Sequence, residues 1–297
     1  MKQATTVTEQ IAKLQSRGMV LDIEENKAKE ILSDIGYFRL GFYCFPFETS
    51  YPNKKYRTHQ YREGTKISDV IALYYFDTDL RNILTRYINR IEINFRTAIV
   101  YCVSNKYKNC STWFVDSTVM EKSFVDSFDK RYYTDKFKKK TIIRDHHKKY
   151  INDKYAPAWK TLEFFTFGEI LNIYRNLADT ALKQEIADRY GIRNVKNLEN
   201  YLYGVKEIRN LCAHGGVLFD HSLNIALIPG QPVGIDNQHK SKLFSIIQIM
   251  LFLLKSISIN RANDLIADIN SLFEDCRRND IIYSLIVDSI GHQKIIA

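Results

Sequence analysis

The chain has 297 residues, 45% hydrophobic and 26% charged, a balance that buries a sizeable core and excludes disorder as the default state. Only 12 Gly and 5 Pro punctuate it, too few for an all-β or loop-rich fold, so long helices with short connections are expected. The formal net charge of +9 favours polyanionic partners, with nucleic acid foremost and an anionic membrane surface as the alternative.

Taken in chain order, residues 5–17 and 23–36 each carry apolar side chains at helical spacing: Ile11 and Leu14, then Ala28, Ile31, Leu32 and Ile35. Gly18 and Gly36 stand where helices end. An aromatic-rich block runs from Tyr37 to Phe47, followed by a polar loop with Pro52 and Gly64. From Ile67 to about Lys106 no Pro or Gly intervenes, and Leu80, Leu84, Tyr87 or Ile88, Ile91, Phe95, Ile99 and Val103 form one stripe. This stretch is either one very long helix or two that meet near Asp77–Asp79.

Residues 116–155 are highly charged, with Lys136, Lys138, Lys139, Lys140, Arg144, Lys148 and Lys149 beside His146 and His147. They read either as a solvated helix face or as a phosphate-tracking surface whose flanking Phe137 and Tyr150 stack on bases. Helical signals resume at 158–177, interrupted by Gly168, and again at 180–190. Asn194 is placed to cap a helix through Leu198, Leu202, Val205 and Ile208 to Ala213, which Gly215-Gly216 stops. Residues 217–236 look extended and irregular, and two helices near 238–256 and 261–276 follow. With no repeat and no clean linker, the expected organisation is one all-α domain over 1–297. Its parts are an N-terminal helical region (1–64), a bundle core (65–260) and a C-terminal helix and tail (261–297).

Five scattered cysteines without a CxxC pair fit a reducing cytoplasm rather than a disulfide framework. The opening MKQATTVTEQ lacks the apolar stretch of a signal peptide. The most apolar stretch, Leu243 to Leu254, is shorter than the roughly 20 residues a membrane helix needs. A cytoplasmic protein with no membrane partner is the expectation.

The segment Arg209-Asn210-Leu211-Cys212-Ala213-His214 carries the sharpest chemistry. It presents a guanidinium, an amide and an imidazole at a helix C-terminus, whose carbonyl end favours a cation. RNA brings its own nucleophile, the 2′-OH, so metal-free cleavage asks only two things of a protein. An imidazole moves a proton near neutral pH. A guanidinium grips the phosphate and stabilises the added charge of the transition state. His214 and Arg209 suit those roles, Asn210 is placed to orient the imidazole or the phosphate, and the glycines leave room for a polymer. On spacing alone the same pair also fits an ordinary surface His and a salt-bridged Arg. A zinc set of Cys212, His214 and His221 lacks a fourth ligand. Phosphate-loop, HExxH and G-x-S-x-G patterns are missing. No cofactor or metal is called for.

Several stretches in order resemble the Abi-like proteins, the AbiD and AbiF group of bacterial abortive-infection proteins within the HEPN superfamily. They are Ile35-Gly36-Tyr37-Phe38-Arg39-Leu40 through Tyr43 to Pro46-Phe47, Leu73-Tyr74-Tyr75-Phe76-Asp77, Leu80-Arg81, Arg90-Ile91-Glu92, Arg96-Thr97, Thr166-Phe167-Gly168, and Arg209 to His214. The resemblance implies a HEPN-type helical bundle with additional N- and C-terminal helices, and an Arg-x4-His ribonuclease motif mapping onto Arg209, Asn210 and His214. It further implies an active cleft between two copies of the motif, hence a homodimer, and cleavage leaving a 2′,3′-cyclic phosphate and a 5′-hydroxyl. Phage defence and a small structured RNA as regulator follow from the same source. Where many HEPN nucleases have a Tyr two residues after the His, this chain has Gly216. The resemblance also directs attention to Glu92 and Arg96, four apart on the long helix, as a structural ion pair or as supports of Arg209 or His214. It gives the aromatic block at 37–47 two uses, core or base stacking. Lys138, Lys139, Lys140, Arg144, Lys148 and Lys149 are the expected RNA contacts. The competing function is a non-catalytic RNA-binding protein that sequesters RNA or a partner.

Overall fold

The computed structural model describes residues 3–230 and 232–291. Gln231, inside the irregular 217–236 stretch, and the last six residues of the expected tail lie outside the described residues. Among the described residues the protein is all-α, with fourteen α-helices, three short 3-10 turns and no strand. In order the helices are α1 (Val7–Ser16), α2 (Glu25–Ile35), α3 (Tyr37–Cys44), α4 (Ile67–Lys106), α5 (Lys122–Arg131), α6 (Asp135–Lys138) and α7 (Thr141–Lys149). They continue with α8 (Ala158–Thr161), α9 (Phe167–Arg175), α10 (Thr180–Asp188), α11 (Val195–Ala213), α12 (Leu243–Ile257), α13 (Ile259–Cys276) and α14 (Asp280–Ile290). No helix among the described residues is long and apolar enough to cross a membrane.

The chain divides into two compact units. The first gathers residues 1–83, 214–221 and 266–297, so α4 supplies its first seventeen residues, 67–83, here. A capping box starts α1: Glu9 N–H donates to Thr6 Oγ1 while Thr6 N–H donates to Glu9 Oε2 at 2.7 Å. The core of this unit includes Ile11, Leu14, Leu32, Tyr43, Leu73 and Phe76, all under 6% exposed. Phe76 meets Phe273 edge to face at 5.5 Å. Asn279 caps α14 and donates to Asp69 Oδ1 at 2.6 Å, and Gly291 ends the helix in the left-handed region. Helix α14 lies in what the sequence suggested was a tail.

The aromatic block splits in use. Tyr43, Phe45 and Phe47 are buried, as a core reading requires, whereas Phe38 is 82% and Phe42 43% exposed.

The second unit holds residues 84–213 and 222–265. The expected stripe of the long helix is buried throughout this part, from Leu84 through Ile88, Ile91, Phe95 and Ile99 to Val103. Nothing breaks α4 at Asp77–Asp79; the run is one helix. Helix α12 is apolar almost all round and buries nine of its fifteen residues, which makes it a core helix. Helix α9 starts at Phe167, one residue before Gly168. Thr166 and Glu169 form a capping box there, so Gly168 lies inside the helix and the interruption falls at Phe165.

Helix α11 packs against α9 and α12. Asn194 accepts from Lys196 N–H at 2.8 Å just before α11 starts, as the sequence suggested. Gly204 allows the approach of α12: a Cβ there would lie 2.6 Å from Ile246 Cδ1 and 2.9 Å from Leu227 Cδ2. Gly204→Val should therefore overpack this contact and lower stability by about 1–3 kcal/mol. Urea unfolding of the variant beside wild type measures it, and an unchanged midpoint would refute the close-packing account.

Candidate functional site

Helix α11 ends at Ala213, and His214 opens the turn that follows. Gly215 has φ of 64°, a left-handed conformation that suits glycine and stops the helix where the sequence placed its end. Arg209 sits in the last two turns of α11 and is half-buried, with its side chain 32% exposed. Asn210 and His214 are exposed.

Within the second unit, Arg209 belongs to a buried charge cluster. Glu92 is 7% and Arg96 is 9% exposed. Glu92 Oε1 accepts from Arg96 Nη2 at 3.2 Å, and Arg96 Nη2 also donates to the Phe165 carbonyl at 2.9 Å. The other Glu92 oxygen, Oε2, lies 3.4 Å from Arg209 Nε, an ion pair without hydrogen-bond geometry. One carboxylate thus bridges two guanidiniums, and three residues singled out in the sequence come together. The pairing uses Arg209 at Nε, and its terminal nitrogens have no hydrogen bond or ion pair among the described residues. A guanidinium anchored at its inner nitrogen and open at its outer pair can still fork onto a phosphate.

Within the first unit, the segment after His214 is tied down by groups that sequence reasoning left without a role. Asp77 is fully buried, and its Oδ1 accepts from Leu218 N at 3.0 Å and from Phe219 N at 2.7 Å. Its Oδ2 accepts from Tyr43 Oη at 2.8 Å and Arg81 Nη1 at 2.6 Å. Arg81 Nη1 also donates to the Gly216 carbonyl at 3.0 Å, and Arg39 Nη2 to the Gly215 carbonyl at 2.6 Å. Burial raises the Asp77 pKa, opposed by the Tyr43 and Leu218 hydrogen bonds and the Arg81 charge. Every carboxylate lone pair faces a donor, so the backbone of 215–219 is held by side chains rather than left as a free loop. The sequence did contain a signal for this: Asp77 stands at the stripe spacing between Leu73 and Leu80, where an apolar residue is expected.

The basic residues of 136–149 are spread over α6, α7 and the turn between them. Lys138, Lys139, Lys140, Arg144, Lys148 and Lys149 are all exposed. Local acids take part of their charge, with Lys138 3.5 Å from Asp135 and Arg144 3.2 Å from Asp145. Lys138, Arg144 and Lys148 join Lys154 around an open hollow of about 490 Å³. Phe137 is not a stacking platform: it is 8% exposed and packs on Tyr133 at 5.3 Å and Phe165 at 5.7 Å. Tyr150 is 44% exposed, with its ring 4.9 Å from that of His146.

His146 itself is buried, with Nε2 3.1 Å from Asp153 Oδ2 and Nδ1 without a partner among the described residues. Burial, then the Lys160 charge, hold its pKa below the ordinary 6.5. The unfolded chain therefore takes up this proton first as pH falls, so stability is lost below about pH 6.5. The unfolding midpoint should drop between about pH 7.5 and 5.5, and drop less in His146→Phe. Equal drops in both proteins would remove His146 from the account.

Among the described residues no group of three or more His, Cys, Asp or Glu side chains is placed to hold a metal ion. A family model described as Abi-like protein matches residues 30–220, which include Tyr43, Asp77, Arg81, Glu92, Arg96 and the Arg209–His214 segment. No curated protein and no solved structure matches the chain.

Proposed function

Because the chain belongs to the Abi-like family, whose name points to abortive infection in phage defence, we propose that it is a metal-independent endoribonuclease of the HEPN type. Arg209 and His214 are its catalytic residues and Asn210 assists them. One observation carries the reading: Arg209 is anchored at Nε by the buried Glu92, with its terminal nitrogens open, five residues before an exposed His214.

The mechanism follows from the chemistry of RNA. The ribose 2′-OH attacks the adjacent phosphorus as the bond to the 5′-oxygen breaks, leaving a 2′,3′-cyclic phosphate and a 5′-hydroxyl. The Arg209 guanidinium faces the non-bridging oxygens and stabilises the charge that builds on them. The His214 imidazole transfers a proton at the attacking or the leaving oxygen. Glu92, itself paired with Arg96, fixes where the Arg209 guanidinium points, so these two are positioning residues. Gly216 occupies the position where many HEPN nucleases have a Tyr, so this reading assigns that position no side-chain role. With one motif per chain, the active form is a homodimer. Lys138, Lys139, Lys140, Arg144, Lys148 and Lys149 contact RNA phosphates, and a small structured RNA restrains the enzyme.

The test is incubation of purified protein with mixed RNAs in EDTA, followed by analysis of the new ends. Cyclic phosphates from wild type, and none from Arg209→Ala or His214→Ala, are expected. RNA binding without cleavage under any condition would replace the nuclease with the sequestering RNA-binding protein. Cleavage that needs added metal would overturn the mechanism.

A further inference from the structure

The second unit carries a cavity that neither the Arg209–His214 reading nor the basic 136–149 segment uses. Its volume is about 620 Å³, inside the roughly 300–1,000 Å³ range of small-ligand sites. Arg131, Tyr132, Asn172, Arg175, Tyr203 and Lys206 line it. Three of the six are cations. Arg131 and Lys206 form no ion pair among the described residues, and Arg175 stands 3.8 Å from Glu199. Glu169, an acid in the same wall, is turned back onto its own helix start, where its Oε2 accepts from Thr166 N–H at 2.7 Å. The cavity therefore presents an excess of positive charge that is not internally neutralised.

Its aromatic walls are preset. Tyr132 stacks on Phe165 at 5.4 Å and on Phe124 at 5.6 Å, and its hydroxyl accepts from Asn172 Nδ2 at 2.7 Å. Tyr203 is half-exposed, with Lys206 Nζ 3.9 Å from its ring centre. A smaller hollow of about 240 Å³ shares Arg175 and Tyr203 with the cavity and adds Lys196. The two together form a groove along one face of α11, on which Lys196, Tyr203, Lys206 and Asn210 recur at helical spacing. Tyr203 stands about 9 Å and Lys206 about 4.5 Å along the helix axis from Arg209.

We propose that this groove is the subsite for single-stranded RNA, holding the nucleotides that flank the phosphate engaged by Arg209. The proposal rests on the nuclease reading of Arg209. Lys206, Arg175 and Arg131 take the backbone phosphates, the ring of Tyr203 takes a base, and Tyr132, held between Phe165 and Phe124, forms a fixed wall beside it, the combination of cations and an aromatic platform that single-strand sites use. A duplex, with its bases already stacked, has no face to offer the Tyr203 ring.

The experiment uses the full chain carrying His214→Ala, so that RNA stays intact, with fluorescence anisotropy on an unstructured oligouridylate and on a duplex RNA. Tyr203→Ala and Lys206→Ala should each weaken single-strand binding about tenfold, while Tyr203→Phe stays near the parent. Lys206→Ala should also lower the steepness of the log Kd against log salt plot by about 0.7. Circular dichroism confirms that each variant is folded, and Lys13→Ala controls for loss of a distant charge. Unchanged single-strand affinity in both alanine variants overturns the subsite, as does an equal loss for the duplex. A parallel assay with His214 restored keeps the two readings apart. Cleavage with an unaltered KM in the groove variants removes the subsite and leaves the nuclease. Groove-dependent binding with no cleavage removes the nuclease and leaves a single-strand binding site.

Discussion

His214→Ala is expected to lower single-turnover cleavage of RNA by about 10²–10⁴-fold, the range for losing a positioned proton-transfer group. Arg209→Ala should lower it by about 10²–10³-fold through lost stabilisation of the transition-state charge. Because the proposed mechanism has the two side chains serve one transition state, the double variant should be little worse than the more severe single one. Arg209→Lys offers a sharper check. The pairing with Glu92 takes Nε of Arg209 and leaves its outer nitrogens for substrate. A lysine has one nitrogen and cannot do both, so Arg209→Lys should resemble Arg209→Ala. Rates within a few fold of wild type in either alanine variant would end the proposed mechanism. Full activity in Arg209→Lys would show that a point charge is enough.

The second large effect falls on stability. Asp77→Asn puts an amide where a fully buried carboxylate receives two backbone N–H groups, the Tyr43 hydroxyl and Arg81. Either orientation of the amide turns an N–H₂ toward donors and leaves the Arg81 charge, itself 7% exposed, without its acid. Removing one partner of a buried pair is strongly destabilising, by about 3–5 kcal/mol. Asp79, two residues on and exposed, is the natural control, since Asp79→Asn should stay within about 0.5 kcal/mol. Urea unfolding of both variants provides the comparison. Similar midpoints for the two would mean that the Asp77 network adds nothing to stability.

The helices could be read in the sequence because their signals are local. The apolar stripe of α4, the Asn194 cap and the glycine stop of α11 each depend on residues within a few turns. The capping box Thr166–Glu169 is equally local, and a scan for Ser or Thr followed three residues on by Glu would have placed the start of α9 correctly. Long-range pairings were another matter. Asp77 meets residues 141 and 142 positions away, and no periodicity reports such a partner. The sequence offers only an anomaly, a carboxylate at an apolar-stripe position, which fits one long helix as well as two that meet there. Phe137 is hard to place from sequence for the opposite reason. Its neighbours are lysines, so its surroundings in sequence are charged, while in space it lies among Tyr133, Phe164 and Phe165. The cluster of Glu92, Arg96 and Arg209 joins two helices more than a hundred residues apart; local chemistry points to Arg209, but only family resemblance points to Glu92 and Arg96.

The first unit is assembled from three separate stretches, 1–83, 214–221 and 266–297. A chain that emerges from the ribosome in order can complete the second unit once residue 265 is made. The first unit must wait longer, because Phe273 and Asn279 supply partners for Phe76 and Asp69, some two hundred residues upstream. Closing so long a loop is slow rather than prohibitively unfavourable, since its entropy grows only with the logarithm of length. The stretch just after His214 does not share that delay, because Arg39, Asp77 and Arg81, which hold its backbone, all precede it in the chain.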